Sequence, residues 1–340
     1  MKIFIPLLLL GIVLNSSANA QTDTINMPDS VKTFLDTVIT IIHAEALNKD
    51  SVNWDTLKKE VFHKAGSARN IKDLVPSIRY IFDKLHDAHG AIIYKGIPYG
   101  AHKLRPQYSN ELMAQVTKLG IPKLKVRVLN HNYGYVLIPA ITADFNEVNK
   151  YAQEIKDSIC SIDPKKVKGW IIDLRLNPGG NMWPMLGGIG SLIGDHQAGS
   201  FVNNKGETLH TWSIKNGDAY YDTTRLTWTT GKCLAKNKKY KIAVLIGPIT
   251  QSSGEAIAIS LKGRPRTMFF GENTGGYTTA NITNILKYGC TLLVASSEEA
   301  DRNNKAYNQF VKPDISIPGG DDFTDIEKDE KLKAALSWLK

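Results

Sequence analysis

Residues 249–263, ITQSSGEAIAISLKG, hold Ser252, Ser253 and Glu255 between the apolar run YKIAVLIGP and an amphipathic helical run. Two kinds of chemistry fit these residues. A serine there can cap the helix, its oxygen accepting a backbone N–H while Glu255 adds a favourable charge to the first turn. It can also be a nucleophile, with the next backbone N–H placed to hold a developing oxyanion. A partner base decides between them. A second junction, IIDLRLNPGGNMW at 171–183, carries Asp173 and Arg175 and then Asn177, Pro178, Gly179 and Gly180 at a helix entrance. Paired glycines let the backbone approach a ligand and turn N–H groups into a cleft. A tight turn with an Asp173–Arg175 ion pair accounts for the same residues.

The stretch LHDAHGA at 85–91 supplies an imidazole, His89. An imidazole can take a serine proton near neutral pH and return it to a leaving amine. His86 and His89 stand three apart around Asp87, which would also suit two metal ligands. No third ligand cluster accompanies them, so no metal and no other cofactor is expected. His43, His63, His102, His131, His196 and His210 are scattered and read as surface or packing residues. Cys160, Cys233 and Cys290 allow at most one disulfide and have no metal-ligand spacing.

These residues need elements to hold them. Residues 28–88 carry helical periodicity in SVKTFLDTVITIIHAEAL, NWDTLKKEVFHKAG and KDLVPSIRYIFDKLHDAHG. From about 131, strands alternate with helices: YGYVLIPA, DFNEVNKYAQEIKDSIC, KGWIIDLRL, MWPMLGGIGSLIG, several short β-like pieces, YKIAVLIGP, SSGEAIAISLKG, RTMFFGE, and a strand pair around NILKYGCTLLVASS. That order predicts an α/β core with largely parallel pairing, whose strand ends are the usual place for a ligand. The expected organisation is a signal peptide at 1–20, an N-terminal helical domain at 21–90, a connecting segment at 91–130 and a core domain at 131–340. Lys2, the apolar IFIPLLLLGIVL and the small-residue ending SSANA make the leader a secretory signal cut after Ala20, giving an exported protein, periplasmic or extracellular. An uncleaved anchor is the alternative, although the apolar stretch is short for a bilayer. No other segment could span one.

The 340 residues carry a net charge of +9, but the lysines are spread along the chain and form no arginine-rich or aromatic-interleaved tract. That excludes nucleic acid as an expected partner.

Taken in order, DLRLNPGG, TQSSGEA, GENTGG and VKPDI resemble the tail-specific, or C-terminal-processing, serine peptidases, in the branch of the tricorn core and the interphotoreceptor retinoid-binding protein modules. The resemblance covers roughly residues 130–318, with VNWDTLK and LHDAHG extending it upstream. It implies a crotonase-like, Clp-type ββα spiral core and hydrolysis of peptides or protein tails. Carried over by position, Ser252 would be the nucleophile, and the amides of Ser253 and of Gly179 or Gly180 the oxyanion hole. Typical members place a lysine base after GExTxG, where this chain has Tyr277; the tricorn-like branch uses the histidine that falls on His89.

This sequence departs from that branch in two places. Ala88 stands where a serine precedes the histidine, and AYNQFVKPD has no carboxylate ahead of its proline to complete a tetrad. Asp301, with Glu298 and Glu299 behind it, is the expected carboxylate that orients His89. Residues 91–130 are too few for the PDZ module of typical members. A rival reading is a family module that keeps the fold and binds peptides or apolar ligands without hydrolysis. A crotonase-like enzyme acting on a coenzyme A thioester is disfavoured by export.

Overall fold

A computed structural model describes residues 27–340 except 103–105, 107, 130–131, 163–166 and 232–239. The expected signal peptide, His131 and Cys233 lie outside the described residues. Two sheets organise the chain. The six-stranded sheet runs in the order Ile315–Ser316, Thr267–Gly271, Lys241–Ile246, Gly169–Asp173, Tyr133–Leu137, Lys125–Leu129. Every neighbouring pair in it is parallel except the last. Its central strands are largely apolar and buried at every position but Lys241, as expected where both faces of a parallel sheet are covered.

The second sheet is antiparallel and has nine strands built around the long strand Cys290–Asp301. That strand pairs with Ala91–Tyr94, Thr279–Ile285, His196–Val202 and Ala306–Tyr307. The expectation of largely parallel pairing therefore describes one sheet of the two.

Helix Ser253–Leu261 departs from its expected amphipathic character. Every residue from Gly254 to Leu261 is buried. The helix is enclosed by the antiparallel strands Cys290–Asp301 and His196–Val202 and by helix Met182–Gly188. A helix covered on every side has no use for a polar face.

The N-terminal region forms helices Asp29–Glu45, Trp54–Ala65 and Ile71–Lys84. Asn53 and Asn70 cap the latter two, and Asn70 makes a full capping box with Asp73. Their apolar faces share one core with Ile92, Cys290, Leu292 and Val294, so this region is built onto the antiparallel sheet. The segment expected to connect, 91–130, holds the hairpin Ala91–Tyr94/Ile97–Gly100, helix Asn110–Leu119 and strand Lys125–Leu129. A C-terminal helix, Glu330–Leu339, packs against the parallel sheet on Tyr135, Ile171 and Phe270. Cys160 is disulfide-bonded and Cys290 is a buried free thiol. Among the described residues no helix is long and apolar enough to cross a membrane.

Candidate active site

Parallel neighbours end at the same edge, and three of these strands deliver the motifs there. NPGG follows Gly169–Asp173, TQSSG follows Lys241–Ile246, and ENTGG follows Thr267–Gly271. Hydrogen bonds stitch the first two turns together. Gln251 N–H donates to the Asn177 carbonyl at 2.9 Å, Thr250 Oγ1 to the Leu174 carbonyl at 2.9 Å, and Ser253 Oγ to the Gly180 carbonyl at 2.7 Å. Gly254 permits this approach, since a Cβ there would lie 2.4 Å from the Asn177 carbonyl oxygen.

Ser252 sits at the turn from strand to helix with φ 50° and ψ −122°. This left-handed conformation is costly for a serine, on the order of 1–3 kcal/mol, and persists only when its surroundings impose it. Here the fully buried Glu255 imposes it. Its Oε2 accepts the N–H of Ser252 at 3.0 Å and of Tyr277 at 2.7 Å; its Oε1 accepts the N–H of Gly276 at 2.9 Å and a short bond from Thr274 Oγ1. Glu255 thus ties the serine turn to the ENTGG loop. Burial pushes its carboxyl up to about 7, against the lowering effect of these four donors. The Glu255 N–H goes to the Ser252 carbonyl at 2.7 Å.

The two candidate glycines differ. Gly179 N–H donates to Asn177 Oδ1 at 2.9 Å and is committed to the turn. Gly179 instead provides space: φ is +111°, and a Cβ would lie 2.9 Å from Ser252 Cβ and 3.2 Å from Ser253 N. The flanking groups, Gly179 C=O and Asn181 N–H, pair with Ile141 at 3.3 and 2.7 Å. Gly180, whose carbonyl accepts Ser253 Oγ, accordingly faces the opposite way, toward the serine turn. Neither the Gly180 amide nor the Ser253 amide meets a backbone or side-chain acceptor among the described residues.

Asp173 and Arg175 belong to a different structure. Arg175 binds Asp173 at 2.7 Å and both Asp321 and Asp329 at 2.8 Å, all buried. Lys331 joins Asp321 to Glu272, and Tyr135 donates to Asp173 at 2.8 Å. This network anchors the start of the C-terminal helix beneath the NPGG turn. The ion-pair reading thus holds for Asp173 and Arg175.

His89 comes from the other sheet. Its ring Nδ1 lies 2.9 Å from the Thr279 carbonyl oxygen and 3.0 Å from Thr279 Oγ1. A carbonyl can only accept, so Nδ1 carries the proton in the neutral ring and Nε2 presents its lone pair. Asp87 secures the backbone: Oδ1 accepts the N–H of His89 and Gly90 at 3.0 and 2.6 Å, and Oδ2 accepts the Ala295 N–H at 3.1 Å. Burial raises the Asp87 carboxyl above the usual range, and the three N–H donors lower it. The Tyr277 ring lies 5.4 Å from the imidazole, centroid to centroid.

Ser252, Ser253, Gly180 and His89 line one cavity of about 890 Å³. Asp301 lines neither this cavity nor the smaller one of about 420 Å³ that His89 also borders. Its Oδ1 accepts the N–H of Asn303 and Lys305 at 2.8 and 3.2 Å, and its Oδ2 the Tyr307 hydroxyl at 3.1 Å. Asp301 thus shapes the hairpin to Ala306–Tyr307, and the group found on Nδ1 is Thr279. Alternation along their strand sends Glu298 to the smaller cavity and Glu299 to the larger. No sequence signal marks Thr279, while Asp87 stood in the LHDAHG motif without an evident role.

A sequence profile of peptidase family S41 matches residues 132–317, more than half of the chain. The nisin-resistance protein of Lactococcus lactis subsp. lactis is 27% identical over 315 residues, 92% of this chain and 88% of that one. Among solved structures, a lipoprotein from Streptococcus agalactiae is similar with a TM-score of 0.69 at 23% identity, over 92% of this chain and 96% of that one. The photosystem II D1 C-terminal processing protease follows at 0.55 and 14% identity, over 86% and 94%. The fold these two solved structures share with this chain is a mixed α/β fold, which here carries an N-terminal helical region. By the profile match across its core, the chain belongs to peptidase family S41.

Proposed function

We propose that this chain is an exported serine endopeptidase acting on peptides or protein tails. Ser252 Oγ attacks the scissile carbonyl, His89 Nε2 takes its proton and then returns it to the leaving amine, and the amides of Gly180 and Ser253 hold the tetrahedral oxyanion. Thr279 fixes the tautomer of His89, the role expected of Asp301. The observation that carries this reading is the pairing in one cavity of a serine on a strained turn with an imidazole whose Nδ1 faces a carbonyl. Water then attacks the acyl-enzyme by the same route, with His89 again the base. Export rests on the leader sequence at 1–20.

The test is hydrolysis of a mixed peptide library by the mature chain, read by mass spectrometry with Ser252→Ala as control. Because one relative is named for nisin resistance, nisin belongs among the first substrates assayed. New termini that appear with wild type and not with Ser252→Ala support the proposal. Peptide binding without cleavage by folded wild type would replace it with the binding-module reading.

A further inference from the structure

Glu299 stands apart from the other buried carboxyls near the site. It is 3% exposed, and its Oε2 accepts no hydrogen bond from any described residue. Glu255, its acidic neighbour, has four donors. A buried carboxyl oxygen without a partner is costly and uncommon in folded chains, so its retention calls for a reason. Glu299 borders the cavity that holds Ser252 and His89. On the adjoining strand Phe201 lies opposite it, and Trp183, His210 and Tyr221 continue an aromatic wall from there. Among the described residues lining this cavity there is no lysine or arginine, although the chain as a whole is basic.

A carboxylate at the base of an aromatic wall is the chemistry that receives a cation: the charge meets Glu299 and the rings contribute their negative faces. We infer that Glu299 is a specificity residue that takes a lysine or arginine side chain of the peptide substrate into the cavity beside Ser252. This rests on the reading that the cavity binds a peptide. Burial, with the Glu255 charge nearby, holds the Glu299 carboxyl well above the usual range. An incoming cation reverses that balance by favouring the ionised form. A neutral side chain of the same length would leave Glu299 buried and unmatched, which is how a polar site rejects the wrong ligand.

The experiment uses the Ser252→Ala chain, which retains the cavity without the nucleophile. Its affinity is measured by fluorescence anisotropy for labelled peptides in which one residue, set to lysine, arginine, norleucine or glutamate, is walked through an otherwise neutral sequence. At one register the basic residues should bind about tenfold or more tighter than norleucine, and Glu299→Gln in the same background should level them. The inference is overturned if no register prefers a basic residue, or if the preference survives Glu299→Gln. Comparing peptides on one protein keeps the result independent of how well the variant folds. Fluorophosphonate labelling of wild type reports separately on whether Ser252 is activated, so failure of the catalytic reading is distinguishable from failure of the pocket.

Discussion

The backbone of Ser252 is held by a carboxylate three residues along the chain, whereas the ring of His89 is held by Thr279, 190 residues away. The serine side is made of turns at the ends of adjacent parallel strands, locked by short-range glycine contacts and by Glu255. The histidine side is made by antiparallel pairing: Asp87 clamps the His89 segment to Ala295, and Thr279 enters on a neighbouring strand. The proposed nucleophile turn is thus encoded in a few consecutive residues, while the placement of its proposed base depends on the pairing of the whole second sheet.

Substitutions should separate the two sides. The largest effect is expected from His89→Ala, which should lower kcat for peptide cleavage by about 10⁴-fold or more while leaving the serine turn formed. Gly179→Ala should come next, with a loss of about 10²-fold or more, because its Cβ would press on Ser252 and on the Ser253 amide. A steady-state assay on one fluorogenic peptide compares both with wild type.

Glu255→Gln should act mainly on stability. Replacing one oxygen by an amide leaves an N–H facing other donors, a cost of about 1–3 kcal/mol in thermal or urea unfolding. The pH dependence has a defined sign. The folded chain keeps the Glu255 proton up to about 7, above its ordinary value of 4.5. The stability this group contributes is therefore full below the ordinary value and is lost as the pH rises through 7. Between about pH 5 and about pH 8, the Tm of wild type should fall relative to that of Glu255→Gln.

Thr279→Val should have the smallest effect, a loss of less than about tenfold in kcat. It removes the hydroxyl contact at 3.0 Å and leaves the carbonyl at 2.9 Å in place. A loss as large as that of His89→Ala would show that the hydroxyl, and not the carbonyl, sets the tautomer.

The same contrast explains what could be read from the sequence. Ser252, Ser253 and the glycine pair were legible because strand, turn and helix entrance are neighbours in the chain, and the parallel order of their strands then brings the turns together. His89 was legible through its motif, but its support was not. Asp301 was expected to orient it, yet a carboxylate at the end of a strand is claimed by the turn that follows, here through Asn303, Lys305 and Tyr307. Gly179 and Gly180 were interchangeable in sequence and became distinct once Asn177 took the first amide. The apolar run after Ser253 carries no mark of being enclosed on every side, because that depends on one strand that begins 29 residues after the helix and another that ends 51 residues before it. Glu299 had no signal beyond its place in a run of acidic residues.

The central claim is that His89 activates Ser252 across the cavity between the two sheets. Its most direct measurement is the rate of fluorophosphonate labelling of wild type, Ser252→Ala and His89→Ala. The account predicts rapid labelling of wild type, none of Ser252→Ala, and a rate reduced by orders of magnitude in a folded His89→Ala. Labelling of His89→Ala at the wild-type rate would contradict it.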